Sequence, residues 1–274
     1  MAEPVLLAYL ALAVVSIIIL LPVGAGAMVL FYLLAAAFII SLRVMHRPSS
    51  VLVRSARILF PLALFSPLYT GTGLICAALP RWAFSAWLER IEAVLFHGQP
   101  SMYMAQLFPS LALSETLHAA YVSYYLLVAA LPLALVIQRR EREAEQVVFV
   151  ICLCFSICCL CYIWLPVASP FFIYPAFGPA LSNGFFYQLA HGISNRGGVL
   201  GGAFPSSHAA LTMVNLLLAW RLERRLFWWT LVPSVLLLIA TVYCRYHYAL
   251  DTFAGAALAV LMALTVKRGR SPQA

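Results

Sequence analysis

The chain has 274 residues, of which 64% are hydrophobic and 9% charged, and its formal net charge is +8. A soluble domain averages about 25% charged residues, so these proportions exclude a water-exposed globule and leave the bilayer as the solvent. Abundant branched and aromatic side chains exclude a disordered chain, and basic residues gathered in short clusters between apolar runs exclude a nucleic-acid-binding surface.

Eight apolar segments of crossing or near-crossing length follow one another, at roughly 4–21, 26–42, 58–79, 117–137, 147–167, 206–220, 226–243 and 248–266. The first carries only Glu3 as an early charge and lacks the basic start of a signal peptide, so it reads as a retained helix. Residues 80–116 are mixed, with Arg81, Trp82, Trp87, Glu89, Arg90 and Glu92, and suit the membrane interface better than a crossing. The fifth segment holds Cys152, Cys154, Cys158, Cys159 and Cys161. With no CxxC and His pattern, these read as small hydrophobes rather than zinc ligands or disulfide partners. Residues 168–205 read as a long loop. The expected fold is all-α, a polytopic transmembrane helical bundle of about eight crossings. Residues 1–57 supply two N-terminal helices and a basic loop, and residues 58–274 form a six-helix catalytic domain.

The basic residues set the orientation. Arg43, Arg47, Arg54 and Arg57 follow the second segment, Arg139, Arg140 and Arg142 the fourth, Arg221, Arg224 and Arg225 the sixth, and Lys267, Arg268 and Arg270 the eighth. These are thirteen of the seventeen Lys and Arg residues. The positive-inside rule then puts both termini and all four clusters in the cytoplasm. The opposite ends face the exterior, which is the periplasm if the membrane is the expected bacterial inner (plasma) membrane.

Chemistry concentrates at those outer ends. Asp251, the chain's one aspartate, sits four residues after His247 and shares a helix face with it. Ionisable groups at membrane depth are costly and point to function, although an interfacial pair anchoring a helix end is the alternative. His208 follows Pro205-Ser206-Ser207 at the start of the sixth segment, where serines cap a helix and free N–H groups make an anion site. Gly201 and Gly202 just upstream permit close approach to a ligand. Arg245 has no positive-inside role, and its guanidinium suits a phosphoryl group. Together these are the parts of phosphoryl transfer through a phosphohistidine: an attacking imidazole, a carboxylate that orients it, a second histidine as acid, and cationic and N–H anion binders. No metal or organic cofactor is required, and no acidic cluster is present to bind a metal. Arg196 is a further candidate phosphate contact. His191 reads as a loop residue, Glu115 and His118 as a helix N-terminus or supporting pair, and His46 and His97 as interfacial.

Phe204-Pro205-Ser206-Ser207-His208, with His247-Tyr248-Ala249-Leu250-Asp251 some forty residues on, resembles the type-2 phosphatidic acid phosphatase superfamily over roughly residues 170–262. That family carries Pro-Ser-Gly-His, then Ser-Arg, five residues, His, three residues, Asp. The resemblance implies His247 as nucleophile, Asp251 as its orienter, His208 as general acid and Ser206 as a phosphate ligand. Three departures stand out. Ser207 replaces the family's glycine, Thr241 replaces its arginine, and the Lys, six residues, Arg-Pro motif is absent. Tyr174-Pro175-Ala176-Phe177-Gly178-Pro179 and Leu95-Phe96-His97-Gly98-Gln99-Pro100 look more like the inositol-phosphorylceramide-synthase-like branch. That resemblance implies a phospholipid, isoprenoid phosphate or sphingoid phosphate substrate in the bilayer, and leaves open whether water or a second lipid or polyol accepts the phosphoryl group. A transporter would place charges in mid-helix, and an intramembrane serine protease would need a Gly-x-Ser-x-Gly-like element, which is missing.

Overall fold

The computed structural model describes residues 2–21, 25–44, 50–79 and 83–266. Hydrocarbon leaves backbone polar groups no partner outside their own segment, so apolar runs become helices. The chain opens with α1 (Ala2–Leu20), α2 (Gly26–Val44) and a broken rod of α3 (Val51–Ala63) and α4 (Phe65–Ala78). Next come α5 (Ala83–Phe96), α6 (Pro100–Leu107) and a second broken rod, α7 (Leu111–Val122) and α8 (Tyr124–Ile137). α9 (Glu141–Trp164) is followed by α10 (Pro170–Ile173), α11 (Pro179–Ser182) and α12 (Phe185–Gly197). The chain closes with α13 (Ser207–Leu222), α14 (Arg224–Tyr243) and α15 (Ala249–Thr265).

Each expected apolar segment is helical, and the molecule is a polytopic helical bundle. By length and composition α1, α3–α4, α9 and α14 suffice to cross a membrane, and the α7–α8 pair, bent by 43°, adds a fifth when taken as one span. Gly26–Ser41 and α15 are shorter apolar helices. α13 has 16 residues, a rise of about 24 Å.

α9 is the hub, packing against α1, α3, α4, α8, α13 and α15. Its small side chains allow this: Cys152, Cys154, Cys158 and Cys159 are fully buried between neighbours. Phe155 stacks on Phe65 of α4, with ring centroids 4.0 Å apart. Tyr9 of α1 bonds Thr72 of α4 at 2.7 Å and lies 3.3 Å from the Tyr32 hydroxyl of α2, which ties the first helices to the bundle.

The basic residues gather at one end. Arg140 pairs with Glu143 at 2.6 Å and Glu223 at 3.4 Å, joining the α8–α9 and α13–α14 turns. Arg54 pairs with Glu141, Arg57 lies 3.9 Å from Glu3, and Arg221 donates to the Ala263 carbonyl near the end of α15. His208 and Asp251 sit at the opposite ends of their helices, and His247 lies just before α15. His46, Arg47, Arg81, Trp82, Lys267, Arg268, Arg270 and the Arg43 side chain lie outside the described residues.

One region differs from expectation in detail. The expected loop 168–205 contains three helices. Ser169 caps α10 by accepting from the Phe171 N–H, and the Glu115 carboxylate caps α12 by accepting from the Phe186 and Tyr187 N–H groups at 2.9 Å each. Glu115 therefore serves the start of a different helix from its own. The interfacial segment is helical and two-faced: Ser85, Leu88 and Glu92 point inward, while Trp87, Val94 and Leu95 are exposed.

α13 and α15 approach each other closely at Gly255. A Cβ on Gly255 would lie 2.3 Å from the Ser206 carbonyl oxygen and 3.1 Å from the Ala210 nitrogen. Both are backbone atoms, so neither can swing away. Gly255→Ala should therefore push the two helices apart at a cost of about 1–3 kcal/mol. Gly26→Ala, with open space around it, should change stability by less than about 0.5 kcal/mol. Thermal unfolding in detergent checks the contrast; equal effects would contradict the close contact.

Candidate active site

Two helix starts face each other. Pro205-Ser206-Ser207 ends an extended run, and Ser206 caps α13, its Oγ accepting from the Ala209 N–H at 3.2 Å. The Ser206 N–H in turn donates to the Asp251 carbonyl at 2.9 Å. This backbone bond joins the two motif segments directly. Ser207 donates its N–H to the Tyr162 hydroxyl of α9, and that hydroxyl donates to the Pro205 carbonyl at 3.0 Å.

His247 lies just before α15. Its Nδ1 is 3.1 Å from the Ala203 carbonyl oxygen and 3.5 Å from Asp251 Oδ2. A carbonyl only accepts, so Nδ1 carries the hydrogen and Nε2 holds the lone pair. Nε2 faces His208 Nδ1 at 3.4 Å. Asp251 Oδ2 also accepts from the Tyr248 N–H at 3.0 Å, which fixes the carboxylate at the first turn of its helix. The Ala203 carbonyl is held in place by its own N–H, which donates to Val167 at 3.2 Å. Gly201 and Gly202 let this strand-like stretch pass close to Cys76, Pro166, Val199 and Tyr69. They admit protein rather than a ligand.

Thr241, at the family's arginine position, builds the turn into His247. Its carbonyl accepts from the Tyr246 and His247 N–H groups, and its hydroxyl meets that of Thr252 at 2.8 Å. His208 is half-buried, with its ring centroid 4.7 Å from Tyr121 and 4.3 Å from Tyr124.

Arg245 points elsewhere. Its φ of +64° is in the left-handed region, which turns its side chain away from that of His247. The guanidinium donates to the Ser101 carbonyl at 3.2 Å and to the Pro175 carbonyl, and lies 4.4 Å over the Phe177 ring. Burial lowers its pKa from the ordinary value. A cavity of about 320 Å³ lies beside it, lined also by Tyr174, His191 and Asn195. Arg196 is exposed in the last turn of α12, next to Ser194 and Gly197, which border the His208 side of the bundle. The structure thus brings together His247, His208, Asp251, Ser206 and Ser207, and sets Arg245 and Arg196 at the margins.

Two residues joined neither motif. Glu92 of α5 is fully buried, and its Oε1 accepts from the Ala249 and Leu250 N–H groups at 2.6 and 3.2 Å. It therefore holds the first turn of the helix that carries Asp251. Glu89, one turn back, accepts from the Tyr248 hydroxyl at 2.7 Å. Acids recurring at i and i+3 on one face of this mixed segment were the available signal. His191 belongs to α12, where its Nδ1 meets the Tyr246 hydroxyl at 3.2 Å. Burial and then the neighbouring His118 lower its pKa to about 4, so it is neutral at pH 7.

Burial pushes the Glu92 carboxyl from 4.5 up to about 7, with the Asp251 and Glu89 charges adding to the rise and the two N–H donors opposing it. An acid whose folded value is raised holds extra protons in the folded state. Its stabilisation is full below 4.5 and is lost as pH rises toward about 7. Glu92→Gln keeps the accepting oxygen and removes the titration. The fall in Tm across that pH window should be shallower in the variant than in the parent, and identical slopes would contradict the assignment.

A family model described as "PAP2 superfamily" matches residues 86–265. Searches of curated proteins and of solved structures gave no match. The matched span runs from α5 through α15 and includes both histidine segments and Glu92. Its members carry out phosphoric ester chemistry on lipid phosphates. With more than half of its length matched, this chain belongs to the PAP2 superfamily.

Proposed function

We propose that this protein is an integral membrane lipid-phosphate phosphatase that works through a phosphohistidine on His247 at the non-cytoplasmic face. The carrying observation is the His247 ring itself: Nδ1 tied to an acceptor-only carbonyl, with the Nε2 lone pair directed at His208. The phosphorus of a lipid monophosphate meets Nε2 once the His208 ring swings out of its 3.4 Å contact. Nε2 attacks it, the P–N bond forms, and the P–O bond to the lipid breaks. His208, holding a second proton taken from the substrate's phosphate monoanion, gives its Nδ1 proton to the departing alkoxide and returns to neutral imidazole. Asp251 stabilises the cationic phosphoimidazolium, and the Ser207 hydroxyl with the His208 N–H at the start of α13 binds the phosphoryl oxygens. His208, now a base, takes a proton from water. The resulting attack on phosphorus breaks the P–N bond and releases phosphate. The basic turns at the far end of the bundle support an outward-facing site, with both termini cytoplasmic.

A second reading keeps the covalent step and replaces water with a polyol or lipid hydroxyl. The cavity beside Arg245, His191 and Asn195 favours it, because it offers room with a few polar groups for another substrate next to the His247 turn. Supplying inositol or ceramide during turnover separates the two, as phosphorylated acceptor instead of free phosphate.

His247→Ala should abolish turnover of a lipid phosphate, and Asp251→Asn should slow it about 10²–10⁴-fold. His208→Ala should be severe with an alkyl leaving group and milder with 4-nitrophenyl phosphate, whose leaving group needs no proton. Steady-state rates on both substrates test this; equal losses on both would remove His208 from the acid role. Turnover should persist in EDTA, and dependence on added Mg²⁺ would refute a purely imidazole-based mechanism.

A further inference from the structure

A cavity of about 350 Å³ runs from Ser207 and His208 to the flank of the bundle between α3–α4 and α8. Two broken rods make room for it. Pro61 removes a backbone donor within α3, and the rod restarts after Leu64. α7 and α8 bend by 43° at Ser123. Residues on both sides of each break line the space: Leu62 and Phe65 from one rod, Tyr121 and Tyr124 from the other. The inner end is the His208 ring against Tyr121 and Tyr124. At the flank the lining residues Ala63, Ser66, Thr70 and Tyr125 are exposed, and Leu126 beside them is 76% exposed on the apolar outside of the bundle.

We propose that this cavity receives one hydrocarbon chain of the substrate lipid, entering sideways from the bilayer, with its phosphate end at His208 and His247. This rests on the phosphatase reading. The lining is mainly rings and aliphatic groups, with no Lys, Arg, Asp or Glu, so it suits hydrocarbon rather than a headgroup. The mouth at Ala63, Ser66, Thr70 and Tyr125 lies between two apolar rods and so opens toward lipid, while Ser194 and Gly197 of α12 border the cavity on the outer-face side. The volume is at the small end for ligand pockets, about 300–1,000 Å³, which fits one chain better than two. A chain moving from lipid to an apolar cavity gains no hydrophobic energy. The cavity therefore selects by fit. One wall, α3–α4, precedes the family-matched residues 86–265. Chain selection is thus supplied partly by helices outside the match.

The test uses the full chain in mixed micelles, with dodecyl phosphate and 4-nitrophenyl phosphate as substrates. Ala129 of α8 lines the cavity away from the reacting groups. Ala129→Trp should lower kcat/KM for dodecyl phosphate roughly tenfold or more and leave 4-nitrophenyl phosphate within about twofold. Losses that are equal on both substrates, or absent on both, overturn the proposal. A dodecyl phosphate bearing a terminal diazirine provides a readout on the unmodified protein. Photolabel in Leu62–Thr70 or Tyr121–Ala129 supports the cavity, and label confined elsewhere overturns it. If the unmodified protein turns over neither substrate, the phosphatase reading falls, and the photolabel alone decides the cavity.

Discussion

The hydrogen bond between His247 Nδ1 and the Ala203 carbonyl is the contact on which the site depends. It decides which ring nitrogen has a lone pair, and so which atom is able to attack. Several elements converge to hold its two ends. The Val167 pairing fixes the carbonyl, and Thr241 fixes the backbone of His247. Asp251 approaches Nδ1 from the first turn of α15, a turn held from outside by Glu92. The absent side chain of Gly255 lets α15 touch the start of α13, which brings His208 opposite Nε2. Much of this is backbone, and backbone geometry is stiffer than side-chain geometry.

The site also divides two solvents. Phosphoryl chemistry needs charge, donors and water, whereas a lipid chain needs none of them. In this bundle the polar groups gather where α13 and α15 begin, and the broken rods α3–α4 and α7–α8 leave apolar room directly beside them. The tyrosines at the boundary, Tyr121 and Tyr124, present ring faces to His208 and suit a place with one wet and one dry side. Buried acids are costly in such surroundings, and both Asp251 and Glu92 offset that cost by accepting backbone N–H groups at the start of α15.

What was legible in the sequence was local. The pairing of His247 with Asp251 was legible from their spacing, although His247 precedes α15 and the two meet at the helix start rather than on a shared helix face, and Pro205-Ser206 announced the start of α13. The apolar runs announced the bundle. The partners of these groups were not legible, because they come from far along the chain. Glu92 reaches α15 across more than 150 residues, and the Ala203 carbonyl carries no side-chain signature. Arg245 stood at a plausible spacing, but its positive φ, which periodicity does not encode, sends it to the Ser101 and Pro175 carbonyls. The helices within 168–205 were hidden because α10 and α11 have four residues each and α12 draws its cap from Glu115 of another helix. The break at Leu64 had a signal in Pro61, whereas the bend at Ser123 had no comparable one.

The most direct test is the chemical identity of the trapped intermediate. Brief reaction with a labelled lipid phosphate, alkaline quench and peptide mass spectrometry locate the phosphoryl group, and the two phosphohistidine isomers are distinguishable by their ³¹P shifts. If Ala203 and Asp251 hold the hydrogen on Nδ1, phosphate must appear on Nε2 of His247. Phosphate on Nδ1 of His247, or on His208 instead, would contradict the account.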